Sequence, residues 1–168
     1  MRASLLLGGL GWILPARAQP VIAPALRDYA AGALARLIEA SRERAITAGV
    51  RPLPPGIQRG LVGFFPPMLL QRVRYAIAPE KGALTLPSLA FSYGDADAIT
   101  LVDVVLFRDE HTAQNDLVLW AHELTHVMQY QRWGTDGFAA RYVREMNVVE
   151  QEARDNAARF KTWRQGRK

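Results

Sequence analysis

Apolar positions recur at helical intervals in two long stretches of the chain and alternate in a shorter stretch between them. From Pro24 to Gly49, Leu26, Ala30, Leu34, Leu37 and Ile46 mark one helical face, and Arg36, Glu39, Arg42, Glu43 and Arg44 the opposite one. Pro24 suits a first helical turn and Gly49 a stop, so the spacing predicts a packing helix with a solvated charged face. The run from Arg51 to Gly56 carries three prolines and predicts an extended surface connector. Ile57 to Gly63 predicts a short helical turn, broken at Phe64-Phe65-Pro66-Pro67, where the aromatic pair reads either as core or as a contact patch. Leu69-Leu70, followed by the alternation of Val73 to Ile77, predicts a helix end leading into a strand.

Leu84 to Phe107 has the pattern of β-structure. Leu86, Leu89, Phe91 and Tyr93 alternate up to a turn signal at Gly94-Asp95, and the β-branched run from Ile99 to Phe107 predicts one strand or a tight pair. Gly94 to Asp97 lacks the later acidic positions of a calcium loop and reads as a plain turn. In the last third, Thr112, Asn115 and Asp116 each offer an N-cap for a helix running to about Trp133 and stopped by Gly134. A closing helix follows from about Phe138 to Trp163. These elements predict an α+β fold with a small antiparallel sheet packed against helices.

The N-terminus changes that picture at one end. Arg2, the apolar run Leu5 to Leu14 and the small-residue pattern Ala16-Arg17-Ala18 before Gln19 have the features of a secretory signal peptide. Residues 1–18 are therefore expected to be cleaved, leaving 19–168 as a single domain exported to the periplasm or secreted, with no stable membrane insertion after cleavage. Removing the leader takes away Arg2 and Arg17, lowering a formal charge of +5 by two. The remaining basic residues are dispersed without interleaved aromatics, which argues against a nucleic-acid partner. The absence of cysteine excludes disulfides, thiolate catalysis and a cysteine-ligated zinc. Oligomeric state has no signature in this sequence.

Candidate chemistry concentrates in His122-Glu123-Leu124-Thr125-His126. On a helix, residues four apart share a face, so both imidazoles can reach one metal ion, the spacing found in zinc hydrolases. Glu123 stands where it can take a proton from a water at such a metal. The buried stripe is expected at Leu117, Trp120, Ala121, Leu124, Val127 and Met128, which places the histidines at its border with Gln129 or Tyr130. A third ligand is needed, and His111, Asp136, Glu145, Glu150, Glu152 and Asp155 are candidates. Glu150 falls on an inward stripe with Tyr142, Met146, Ala153, Ala157 and Phe160, whereas Glu152 shares a polar face with Asp155 and Arg159. A carboxylate on a buried stripe needs a cation, so Glu150 is favoured as a metal ligand, with pairing to Arg141 or Arg154 as its alternative.

This arrangement resembles the gluzincin metallopeptidases, which join HExxH on one helix to a glutamate from a later one. The run Trp120 to Gln129 is more closely similar to the "HELTHxxQ" signature of a bacterial domain family of unknown function. That family also occurs as the core domain of cargo of extracellular contractile injection systems and is regarded as peptidase-like. The resemblance covers about the last half of the chain. It implies a zincin-like domain with Zn2+ held by His122, His126 and Glu150, Glu123 as general base, and a peptide or protein substrate. One departure stands out, because many gluzincins carry an aspartate four residues after the glutamate ligand and this chain has Arg154 there. Tyr130, Tyr142, Arg141 and His111 are candidate donors to a developing oxyanion, with no basis in the sequence for choosing among them.

Overall fold

A computed structural model describes residues 24–78 and 96–167. The elements are α1 (Pro24–Ala48), β1 (Arg51–Pro52), α2 (Pro55–Leu61), α3 (Pro67–Arg72), β2 (Arg74–Ile77), β3 (Ala98–Leu101), β4 (Val104–Phe107), α4 (Glu110–Asn115) and α5 (Leu117–Gln165). The α+β class and the small sheet packed on helices are as expected. The expected signal peptide, residues 1–18, and the alternating positions Leu86 to Tyr93 lie outside the described residues.

The sheet is mixed, where an antiparallel one was expected. Its order is β1-β2-β4-β3, with β1–β2 and β3–β4 antiparallel but β2–β4 parallel, Tyr75 facing Val105 and Ile77 facing Phe107. The β3–β4 pair turns inward, so Val104-Val105-Leu106-Phe107 takes an interior position and all four of its residues are buried. An interior strand covered on both faces reads as an unbroken apolar run, which is why one strand and a tight pair looked alike in sequence. Val105 and Phe107 join one cluster with Trp120, Leu124 and Phe160, whereas Val104 and Leu106 join a second with Ile38, Tyr130 and Phe138.

The turn between these strands places Val102 at φ 64, costly for a β-branched residue. Its neighbour Asp103 anchors the turn. The Asp103 carboxylate accepts from Arg42 Nε and Nη2 of α1 at 2.6 and 3.2 Å, and its carbonyl accepts from Arg74 N at 2.9 Å. Arg42 thus does more than solvate a charged face. The buried face of α1 is also rotated from its expected position, since Ala31, Ala35, Ile38 and Ser41 are buried while Leu26 and Ile46 are exposed. Ala31 and Ala35, one turn apart, share that face with Ile38 and Ser41. Of the connector, Arg51–Pro52 pairs with β2, and Phe65 is core with Phe64 partly buried against it.

The last third departs furthest from expectation. α5 runs over 49 residues but has non-helical backbone at Gly134 (φ 69, ψ 173) and Glu145 (φ −148, ψ 46), which divide it into a motif segment, 117–133, a short middle segment, 135–144, and a closing segment, 146–165. Gly134 is the expected stop, and its left-handed φ is one that glycine adopts without strain. The break at Glu145 has no signal in the sequence, and it resets the helical phase. Met146, expected inside, is consequently exposed, and the buried stripe is Val149, Ala153, Asn156, Ala157 and Phe160. We therefore expect Val149→Ala to lower stability by roughly 2 kcal/mol, and Met146→Ala to change it by less than about 0.5 kcal/mol, both read by chemical denaturation. The opposite ranking would mean that the closing helix runs unbroken through Glu145.

Candidate metal centre

The motif segment begins at Asp116, whose side chain caps it by accepting from Val118 N and Leu119 N at 3.0 and 2.9 Å. Trp120, Ala121, Leu124 and Val127 pin the segment to the core, with the Trp120 indole donating to Ala113 O at 2.7 Å. That packing fixes the rotation of the helix. His126, 6% exposed, and the partly buried His122 consequently face the closing segment, with ring centroids 4.8 Å apart. Thr125 ties the two segments together: it donates to Ala121 O at 2.8 Å and accepts from Asn156 Nδ2 at 2.7 Å.

Glu150 arrives from the closing segment, five residues after the break at Glu145. Its Oε2 lies 3.4 Å from His122 Nε2 and its Oε1 3.5 Å from His126 Nε2, while the two Nε2 atoms are 3.1 Å apart. Tyr142, from the middle segment, donates to Glu150 Oε1 at 3.1 Å. Zinc bonds of about 2.0 to 2.1 Å at tetrahedral angles set donor atoms about 3.3 to 3.4 Å apart, so these separations have the size of a tetrahedral edge. The imidazoles face different oxygens of the carboxylate, and with one donor atom from each residue all three lie within 4.8 Å. Two imidazoles and one carboxylate suit a borderline cation. His122, His126 and Glu150 could hold a metal ion.

The electrostatics show what holds the three groups together. Burial works against the Glu150 carboxylate, but hydrogen bonds and charge from His122 and His126 outweigh it and hold its carboxyl well below the usual carboxylate range. Burial likewise pulls the His126 imidazole down, and Glu150, the charge of Glu123 and the bond to Gln129 overturn that, leaving it raised. Glu150 thus contributes stability above its ordinary value of 4.5 that is lost as pH falls through the depressed one. His126 contributes below its ordinary 6.5, and its share is lost as pH rises through the raised value. The Tyr142 hydroxyl is pushed upward by burial and then by the neighbouring Glu150 carboxylate, and so stays a donor.

Glu123 is 4% exposed, and its Oε2 accepts from Thr100 Oγ1 of β3 at 2.6 Å. A buried carboxylate requires such a donor, and sequence reasoning missed it: Thr100 was only one β-branched residue in a strand. His122, Glu123, His126 and Glu150 line one cleft of about 840 Å³, bounded by Leu34 and Ile38 of α1, by β3 and by the closing segment. Phe138 stacks on Tyr130 at 3.9 Å and lies 5.5 Å from Tyr142, forming an aromatic wall.

A family model described as the eCIS core domain matches residues 88–134. Less than a third of the chain is matched, including both strands of the hairpin and the motif segment with His122, Glu123 and His126. Glu150 lies beyond it. The eCIS core match therefore agrees with the resemblance to that family and says nothing of the third donor. No curated protein and no solved structure matches the chain.

The remaining candidate ligands are engaged elsewhere or stand apart. Glu152 accepts from Gln129 and Arg132, Asp155 accepts from Gln151, and Glu145 pairs with Arg141. Exposed His111 and Asp136 are not in the cluster. Arg154 bonds Gln151, so the pairing of Glu150 with Arg154 or Arg141 considered from sequence is not made. Replacing Thr100 by Val leaves the Glu123 carboxylate without its donor. We expect a loss of about 1 to 3 kcal/mol at neutral pH by chemical denaturation, and unchanged stability would show that Thr100 does not support Glu123.

Proposed function

We propose that the chain is an exported zinc-dependent peptidase in which His122, His126 and Glu150 hold Zn2+ and Glu123 is the general base. One observation carries the reading: a buried carboxylate with no share in the ligand cluster lines the same cleft as a cluster able to hold a metal. A site serving structure alone has no use for that second carboxylate. The leader pattern at residues 1–18 supports export.

Zinc in such a site supplies Lewis acidity, which makes a water acidic near neutral pH and polarises a carbonyl. The chain's own groups do the rest. Thr100 holds Glu123 Oε2, which leaves Oε1 as the atom that takes the proton from water and returns it to the leaving amine. Tyr142 holds Glu150 through Oε1 and so fixes the carboxylate that faces both imidazoles. Among the described strands β3 is at a sheet edge, and Ala98, Ile99 and Thr100 line the cleft, so an extended peptide can pair with it while its reacting carbonyl lies by Glu123.

The eCIS core match favours a second reading, a metal-binding cargo module of a contractile injection system that keeps the ligand set without turnover. Digestion of a broad peptide library by the zinc-loaded protein separates the two. Under the peptidase reading, Glu123→Gln lowers cleavage by about 100-fold or more with zinc still bound. A Glu123→Gln protein that cleaves like the parent removes Glu123 as base, and a zinc-loaded parent that cleaves nothing favours the cargo module.

A further inference from the structure

We infer that Gln129 is a positioning residue that fixes the tautomer of His126, holding hydrogen on Nδ1 so that the Nε2 lone pair points into the His122–Glu150 cluster, and that Glu152 and Arg132 hold Gln129 in turn. Its effect on metal affinity rests on the zinc reading above, whereas the tautomer does not.

Gln129 is 0% exposed and lies three residues after His126 in the motif segment. Its amide nitrogen is 3.0 Å from Val149 O and 3.0 Å from Glu152 Oε2. Both partners only accept, so the nitrogen end of the amide must face them. Turned over, the amide would set its oxygen against two oxygens in a buried site, a costly arrangement. The amide oxygen therefore faces His126 Nδ1, at 2.8 Å, and accepts from it. A neutral imidazole with hydrogen on Nδ1 has its free lone pair on Nε2, the nitrogen that lies 3.1 Å from His122 Nε2 and 3.5 Å from Glu150 Oε1.

The same amide also sets the opposite side of the cluster. Val149 and Glu152 flank Glu150, so the two bonds from Gln129 fix the register of the closing segment against the motif segment. Glu152 Oε1 accepts from Arg132 Nη1 at 3.0 Å, which secures the carboxylate to the motif segment across both helix breaks. Metal-bound histidines generally donate their other ring N–H to a neighbour, commonly a carboxylate or carbonyl. Arg154, four residues after Glu150, bonds Gln151. The acceptor beside His126 lies on the motif helix itself, as an amide oxygen backed by a carboxylate.

The test compares the full chain with Gln129→Leu, which removes the acceptor, and with Glu152→Gln, which keeps the Gln129 amide and an acceptor oxygen behind it. Nitrogen-15 NMR of the metal-free proteins at alkaline pH reads the His126 tautomer, and chelator competition reads zinc affinity. We expect Nδ1–H in the parent and in Glu152→Gln, and a mixture of tautomers in Gln129→Leu with zinc affinity lowered by about 10- to 100-fold. Gln129→Leu with the parent's tautomer and affinity overturns the inference, as does a parent with hydrogen on Nε2. If Gln129→Leu does not fold, the parent and Glu152→Gln decide: Nδ1–H in both supports the inference, and hydrogen on Nε2 in either overturns it. A parent that shows Nδ1–H but takes up no zinc supports the tautomer assignment and defeats the zinc reading instead.

Discussion

Burying charge is the constraint around which the last third of this protein is organised. Two imidazoles and a carboxylate meet with donor separations of 3.1 to 3.5 Å, and a second carboxylate, Glu123, is almost fully buried nearby. Groups of this kind are costly inside a protein unless each has partners. Thr100 serves Glu123, Tyr142 serves Glu150, and Gln129 serves His126. Those partners come from β3, the middle segment and the motif segment, so the sheet and both helix breaks are needed to assemble one cluster. The break at Glu145 sets the phase of the closing segment in which Glu150 faces both histidines.

Much of this was legible in the chain, for reasons that differ from residue to residue. The motif helix was, because its apolar stripe has an uninterrupted helical period from Leu117 to Met128 and glycine ends it at Gly134. Glu150 was chosen over Glu152 on a stripe that included Met146, and the break at Glu145 puts Met146 outside. The choice of Glu150 agrees with the cluster although part of its support does not, because Ala153, Ala157 and Phe160 alone still place the buried face. The parallel pairing of β2 with β4 was not legible, since it depends on which hairpin strand turns inward. Nor were Thr100 and Asn156, whose hydrogen bonds to Glu123 and Thr125 reach residues 23 and 31 positions away.

The family likeness and the geometry divide the site between them. The eCIS core match takes in the helix with its two histidines and Glu123, along with β3 and β4. The third donor and its Tyr142 contact lie beyond residue 134. Glu152 and the Val149 carbonyl, which hold Gln129, also come from outside the match. The closing segment brings a carboxylate to the histidines, and the Gln129 amide, inside the match, bonds that segment at Val149 and Glu152.

The most direct measurement of this account is the metal content of the purified protein, prepared without chelators, with Glu150→Ala beside it. The account predicts one zinc per chain in the parent, and weakened binding in the variant because one of three protein ligands is gone. A parent without stoichiometric metal, or a Glu150→Ala protein that keeps zinc at full affinity, would contradict it.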